Sequence, residues 1–176
     1  MDVLLPFSIP LSGLREGVHR FSFRVDSAFF GAFEDSLLQE ANVEVSLSLD
    51  KRPSLLMLEF ELKGWLMTEC DRCLEAFKLP VDKQYHLMVK YAEEAADEAD
   101  ILYIRREESE LNVAKQVYDF LHLSLPMHKT HELVEGSCDP AMLAFLQQQE
   151  QEKTSEETQE EKSDSPWSAL KDLNFD

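Results

Sequence analysis

VEVSLSLDKRPSLLMLEFEL, the stretch from Val43 to Leu62, decides the fold. Its first seven residues alternate apolar and polar, and Leu56, Leu58, Phe60 and Leu62 do so again after a break. A period of two puts successive side chains on opposite faces of an extended chain, so each arm reads as a strand with one buried face. Lys51, Arg52, Pro53 and Ser54 supply turn chemistry between the arms, which predicts an antiparallel hairpin.

The same reading extends in both directions. Upstream, GVHRFSFRV (17–25) sets Phe21, Phe23 and Val25 against Arg20, Ser22 and Arg24, a further half-buried strand. In DSAFFGAFEDSLLQEA (26–41), Phe29, Phe30, Phe33, Leu37 and Leu38 come near helical spacing, which predicts a short helix or aromatic turn. Downstream, Gly64 is expected to break or bend the second arm. After WLMTECDRCLEAFKLPVD (65–82), Tyr85, Leu87, Val89 and Tyr91 alternate once more, and the acidic loop AEEAADEAD leads to ILYI (101–104), an expected edge strand.

From Leu111 to Leu125, the residues Leu111, Ala114, Val117, Tyr118, Leu121 and Leu125 recur at three- and four-residue steps. This is the stripe of an amphipathic helix, with Asn112 as its expected N-cap and Pro126 as its stop. A second helix is expected from about Pro140 to Gln149, with proline in its first turn. The run QQQEQEKTSEETQEEKSD (147–164) has no apolar residue and can bury nothing, so it reads as a flexible acidic linker or a solvated, fraying helix extension. SPWSALKDLNFD (165–176) then restores Trp167, Leu170, Leu173 and Phe175. These segments predict an α+β fold: one globular domain over 1–146, a linker over 147–165 and a Trp-containing motif over 166–176. The domain would hold a mainly antiparallel, barrel-like or strongly twisted sheet of about five to six strands, with two to three helices.

A chain of 176 residues, 44% hydrophobic, suffices for one ordinary core. It lacks an apolar run of membrane-spanning length and the pattern of a signal peptide, so a cytoplasmic protein without a membrane partner is expected. The net charge of −18 repels phosphate backbones and disfavours binding bare nucleic acid, while it suits a basic protein partner. No phosphate loop, nucleophile elbow or H-E-x-x-H occurs, so neither an enzyme nor a small-molecule substrate is expected.

Cys70-Asp71-Arg72-Cys73 is the clearest chemical motif. Two thiols two residues apart can face one metal ion or close a redox disulfide. Cys138 with His131, or with His128 as the alternate, would complete a four-ligand zinc site. Thiol catalysis would need Cys70 activated at a helix N-terminus, and plain burial of three free cysteines is the third reading. At the other end of the chain, Trp167 and Leu170 either patch the domain's own core or act as anchors that dock into a partner.

CDRCLEAFKLPV, lying between two alternating strands, resembles the signature of the YceD-like large ribosomal RNA accumulation proteins of bacteria and plastids. SPWSALKDL is similar to that family's closing segment through Asp164, Pro166, Trp167, Ala169, Leu170, Lys171 and Leu173. The resemblance implies a non-enzymatic role in large-subunit ribosome biogenesis, supporting ribosomal RNA accumulation or processing. Its implied partners are ribosomal or assembly-factor proteins, with large-subunit ribosomal RNA as part of a complex, and Arg72, Trp167, Leu170, Lys171 and Leu173 are the expected contact residues. A zinc- or thiol-dependent enzyme using the Cys70 and Cys73 pair, and an acidic chaperone for one basic ribosomal protein, are the alternatives. Some members carry further cysteines before the tail that would complete a metal site; here Cys138 stands in a histidine-containing stretch instead.

Overall fold

A computed structural model describes residues 3–34, 36–92 and 101–149. Residues 150–165 of the linker and the Trp167 motif lie outside the described residues. Strands β1 (Ser8–Pro10), β2 (Gly17–Val25), β3 (Ala41–Lys51), β4 (Leu55–Glu69), β5 (Ala76–Tyr91), β6 (Ile101–Ile104) and β7 (Glu110–Asn112) accompany helices α1 (Ser27–Phe30) and α2 (Ala114–Leu123). A third helix, α3, occupies 140–149, and 3-10 turns occur at Leu5–Phe7 and His131–Val134.

Five strands form an open, twisted sheet in the order β2-β3-β4-β5-β6, and β1 pairs with β7 in a separate ribbon. The architecture is the α+β one expected, and of the two sheet shapes allowed it is the twisted rather than the closed one. The β3–β4 hairpin pairs Val45 with Leu62, Leu47 with Phe60 and Leu49 with Leu58, and all six side chains are at most 1% exposed. Removing such a side chain from water stabilises the fold by roughly 1.5–3 kcal/mol. The period of two is therefore what fixes the register, since a one-residue slip would turn this row outward.

Helix α2 covers the buried face. Val117 and Leu121 are fully buried, while Phe120 stacks on Tyr85 at 4.6 Å and meets Phe60 edge-on at 5.1 Å. Asp26 starts α1 by accepting the Ala28 and Phe29 amides on Oδ1. That single turn carries Phe29 and Phe30 into the core beside Phe7 and Tyr118.

Three local expectations are corrected. Of the break or bend expected at Gly64, the break does not occur: β4 runs through it, and the position needs glycine because a Cβ there would lie on the Asn42 carbonyl. Residues 110–112 pair with β1, so α2 begins at Ala114, and Val113 is its N-cap. Asn112 still serves the helix end, since its Oδ1 accepts the Ala114 amide while its Nδ2 donates to Leu4 O and Ser8 Oγ. Strand β5 starts nine residues before Tyr85 and includes Pro80, tolerated because β6 pairs β5 only over Met88–Tyr91 and leaves that edge open. Strand β6 takes the expected edge position and joins β5 in parallel, which a mainly antiparallel sheet allows.

Candidate metal centre

At the end of the sheet farthest from the β3–β4 turn, the β4–β5 hairpin closes on residues 70–75. The Cys70 amide donates to Glu75 O and the Leu74 amide to Cys70 O, each at 2.9 Å. This tight loop forces Leu74 to φ +62° and folds Cys70 and Cys73 to one side. The connection after α2 meets it. Its 3-10 turn supplies His131, Glu135 leaves that turn at φ +55°, and Gly136 N returns a hydrogen bond to His131 O at 2.9 Å. Cys138 follows just before α3.

The Cys70, Cys73 and Cys138 sulfurs and a His131 nitrogen all lie within 4.8 Å of one another. Cys70 Sγ is 3.7 Å from Cys138 Sγ, and Cys73 Sγ is 3.4 Å from His131 Nδ1. Tetrahedral zinc with bonds of about 2.3 Å to sulfur and 2.0–2.1 Å to nitrogen sets its ligands roughly 3.8 Å apart for two sulfurs and roughly 3.5 Å apart for sulfur and nitrogen. Both separations match, and three thiols with one imidazole are donors that suit this ion. Of the two histidines named from the sequence, the structure brings in His131. His128 is exposed and stands near Asp71, whose carboxyl it helps hold down.

All four side chains are at most 9% exposed. Phe77, Leu79, Val134, Met142 and Leu143 pack around the cysteines as a second small core, and the Phe77 ring lies 4.9 Å from the His131 ring. Two ion pairs clasp the halves from outside: Arg72 Nη1 to Glu132 Oε1 at 2.7 Å and Lys129 Nζ to Asp71 Oδ1 at 3.3 Å. Backbone bonds reinforce the second, with Asp71 N donating to Lys129 O and Lys129 N to Asp71 Oδ2. That amide is the main reason the Asp71 carboxyl sits below its ordinary range. Arg72, expected to contact a partner, is thus held in this clasp. Sequence spacing missed Lys129 and Glu132 because 58 and 60 residues separate them from Asp71 and Arg72.

Burial alone would raise both Cys70 and Cys138. At Cys70 the N–H groups of Cys73, Arg72 and His131, with the Cys73 thiol, outweigh it and bring the pKa from 9.0 to about 6. At Cys138 burial dominates, and the Cys70 and Cys73 sulfurs add to it, raising the pKa from 9.0 to about 11. A depressed pKa stabilises the fold above the unfolded value, and that contribution is lost as pH falls through about 6; a raised one is lost as pH rises from 9.0 through about 11. With the clip closed and no metal bound, the protein is therefore expected to be most stable near pH 9 and weaker at both pH 6 and pH 11, as measured by urea midpoints across that range. A midpoint that falls from pH 6 to pH 9 would contradict this geometry.

Among the described residues no helix is long and apolar enough to cross a membrane. Comparison with curated proteins and with solved structures returns no match. A family model does match, that of the large ribosomal RNA subunit accumulation protein YceD, over residues 58–174. The matched span takes in the hairpin cysteines, His131 with Cys138, and the Trp167 motif. With that match over more than half of its length, the chain belongs to the YceD family.

Proposed function

We propose that the protein is a non-enzymatic factor of large-subunit ribosome biogenesis that supports ribosomal RNA accumulation by holding a protein or ribonucleoprotein partner. Its Cys70, Cys73, His131 and Cys138 cluster is a structural zinc site. One observation carries the reading: four buried protein ligands lie within 4.8 Å of one another. Four protein ligands close a tetrahedral site, whereas catalytic zinc keeps a position for water or substrate. The same burial speaks against thiol catalysis, because Cys70 is 0% exposed and lies in a hairpin loop, not at the helix N-terminus that would present a thiolate to a substrate. When bound, zinc would supply cross-linking of the two chain segments, and the surrounding residues would supply the contact surface.

The partner surface would comprise the outside of this clip and, on the acidic tether, the motif with Trp167, Leu170, Lys171 and Leu173. Much of the negative charge falls in AEEAADEAD and in 147–164, which would speed encounter with a basic partner. A strain lacking the protein is expected to accumulate less large-subunit ribosomal RNA, and the Trp167→Ala/Leu170→Ala variant to leave the deficit uncorrected. The purified variant's Tm should stay within about two degrees of wild type, since an exposed docking motif contributes little to the core. Normal ribosomal RNA in the deletion strain would refute the biogenesis role. A Tm drop of many degrees would instead place Trp167 against the domain itself.

A further inference from the structure

Three large apolar side chains stand in water around the clasp. Leu74 is 65%, Met127 94% and Leu133 48% exposed. Each lies within two residues of a member of the Arg72–Glu132 or Lys129–Asp71 ion pair. Leu74 also holds a left-handed backbone conformation that disfavours branched side chains and favours glycine. Folding gains nothing from an exposed leucine at that position, so the side chain has its use outside the fold.

The charges around it indicate what it meets. The clasp satisfies Asp71 and Glu132 with Lys129 and Arg72, which leaves Glu69, Glu75 and Glu135 exposed and without a cation within ion-pair distance among the described residues. Exposed apolar side chains accompanied by unpaired carboxylates complement an apolar cleft edged by lysine or arginine and repel a phosphate backbone. We infer that Leu74, Met127 and Leu133 form a docking knob for a basic protein of the large ribosomal subunit. The inference rests on the biogenesis reading and narrows it to one face and one class of partner.

The test uses full-length protein loaded with zinc, and as probe the proteins extracted from purified large ribosomal subunits, freed of RNA. Wild type is expected to retain one or more basic proteins, less tightly as salt rises. Leu74→Gly should weaken that binding tenfold or more while leaving Tm unchanged or raising it, because glycine relieves the strained backbone. Met127→Ala, at a site that is almost fully exposed, should weaken binding several-fold without touching stability. Binding by Leu74→Gly and Met127→Ala equal to wild type would overturn the knob and leave the biogenesis role standing. No retention by wild type, with binding only to ribosomal RNA, would overturn both the knob and the protein-partner reading.

Discussion

Gly64→Ala is expected to cost the protein so much stability that little folded material is recovered at 37 °C, although the change adds a single methyl group. An ideal Cβ at this position would sit 2.1 Å from Asn42 O and 2.8 Å from Val43 Cα, and the φ of +152° is one that side chains rarely adopt. The clash is with backbone, so no rotamer change relieves it. The two central strands β3 and β4 would have to separate where Gly64 faces Val43 in the register. That displacement would disturb the row that buries Val43, Val45 and Leu62, all 0% exposed. Overpacking of a well-ordered core typically costs about 1–3 kcal/mol, and strain at a special backbone angle adds roughly another 1–3 kcal/mol. A domain stable by about 5–15 kcal/mol loses much of its margin. Thermal denaturation would check this, with an expected Tm drop of more than ten degrees; a drop under three degrees would mean that the strands part easily there.

Gly64 also illustrates what was legible in the sequence. Alternation marked both arms of the β3–β4 hairpin, because one face of each strand meets a core and the other meets water. The glycine itself read as an interruption, since a sequence does not display which carbonyl approaches from the neighbouring strand. Strands β1 and β7 left no signal: three residues each is too short for a period, and Leu111 and Asn112 of β7 fell inside an apparent helical stripe begun by Leu111. The start of β5 at Ala76 was hidden too, because the alternation of Tyr85, Leu87, Val89 and Tyr91 marks only its second half.

The metal cluster was partly legible for a similar reason. Cys70 and Cys73 announce themselves by spacing, and Cys138 by being the third cysteine. The choice between His128 and His131 was open in the sequence, as both occupy the same polar connection. It is settled by the 3-10 turn, which buries His131 against Phe77 and leaves His128 in solvent. Leu74 gave no sign at all, because its exposure and its left-handed backbone arise only once the hairpin loop closes.

Cys70→Ser is expected to abolish stoichiometric zinc binding and to melt the clip while leaving the sheet folded. Against the metal stand weak alternatives. The small core there holds Cys70, Cys73, Phe77, Leu79 and Cys138 as its buried members, and each larger side chain is worth roughly 1.5–3 kcal/mol. The ion pairs are exposed on at least one side and contribute about 0–1 kcal/mol each. Two residues, Leu74 and Glu135, hold left-handed conformations in the very loops that carry the ligands, each costing roughly 1–2 kcal/mol. Structural zinc in small sites supplies about 10–16 kcal/mol at neutral pH, so zinc bound here would outweigh the packing and the ion pairs in holding these loops closed. The main core, by contrast, draws on β1 to β7 and α2 and includes none of the four ligands. Wild-type protein should carry one zinc per chain by elemental analysis, and the variant less than a tenth of that. Amide exchange should accelerate a hundredfold or more across 125–146 and at the 70–75 loop, with protection in β3 and β4 nearly unchanged. Zinc-free wild type with full protection over 125–146 would show that packing alone closes the clip, and the structural-zinc assignment would fall with it.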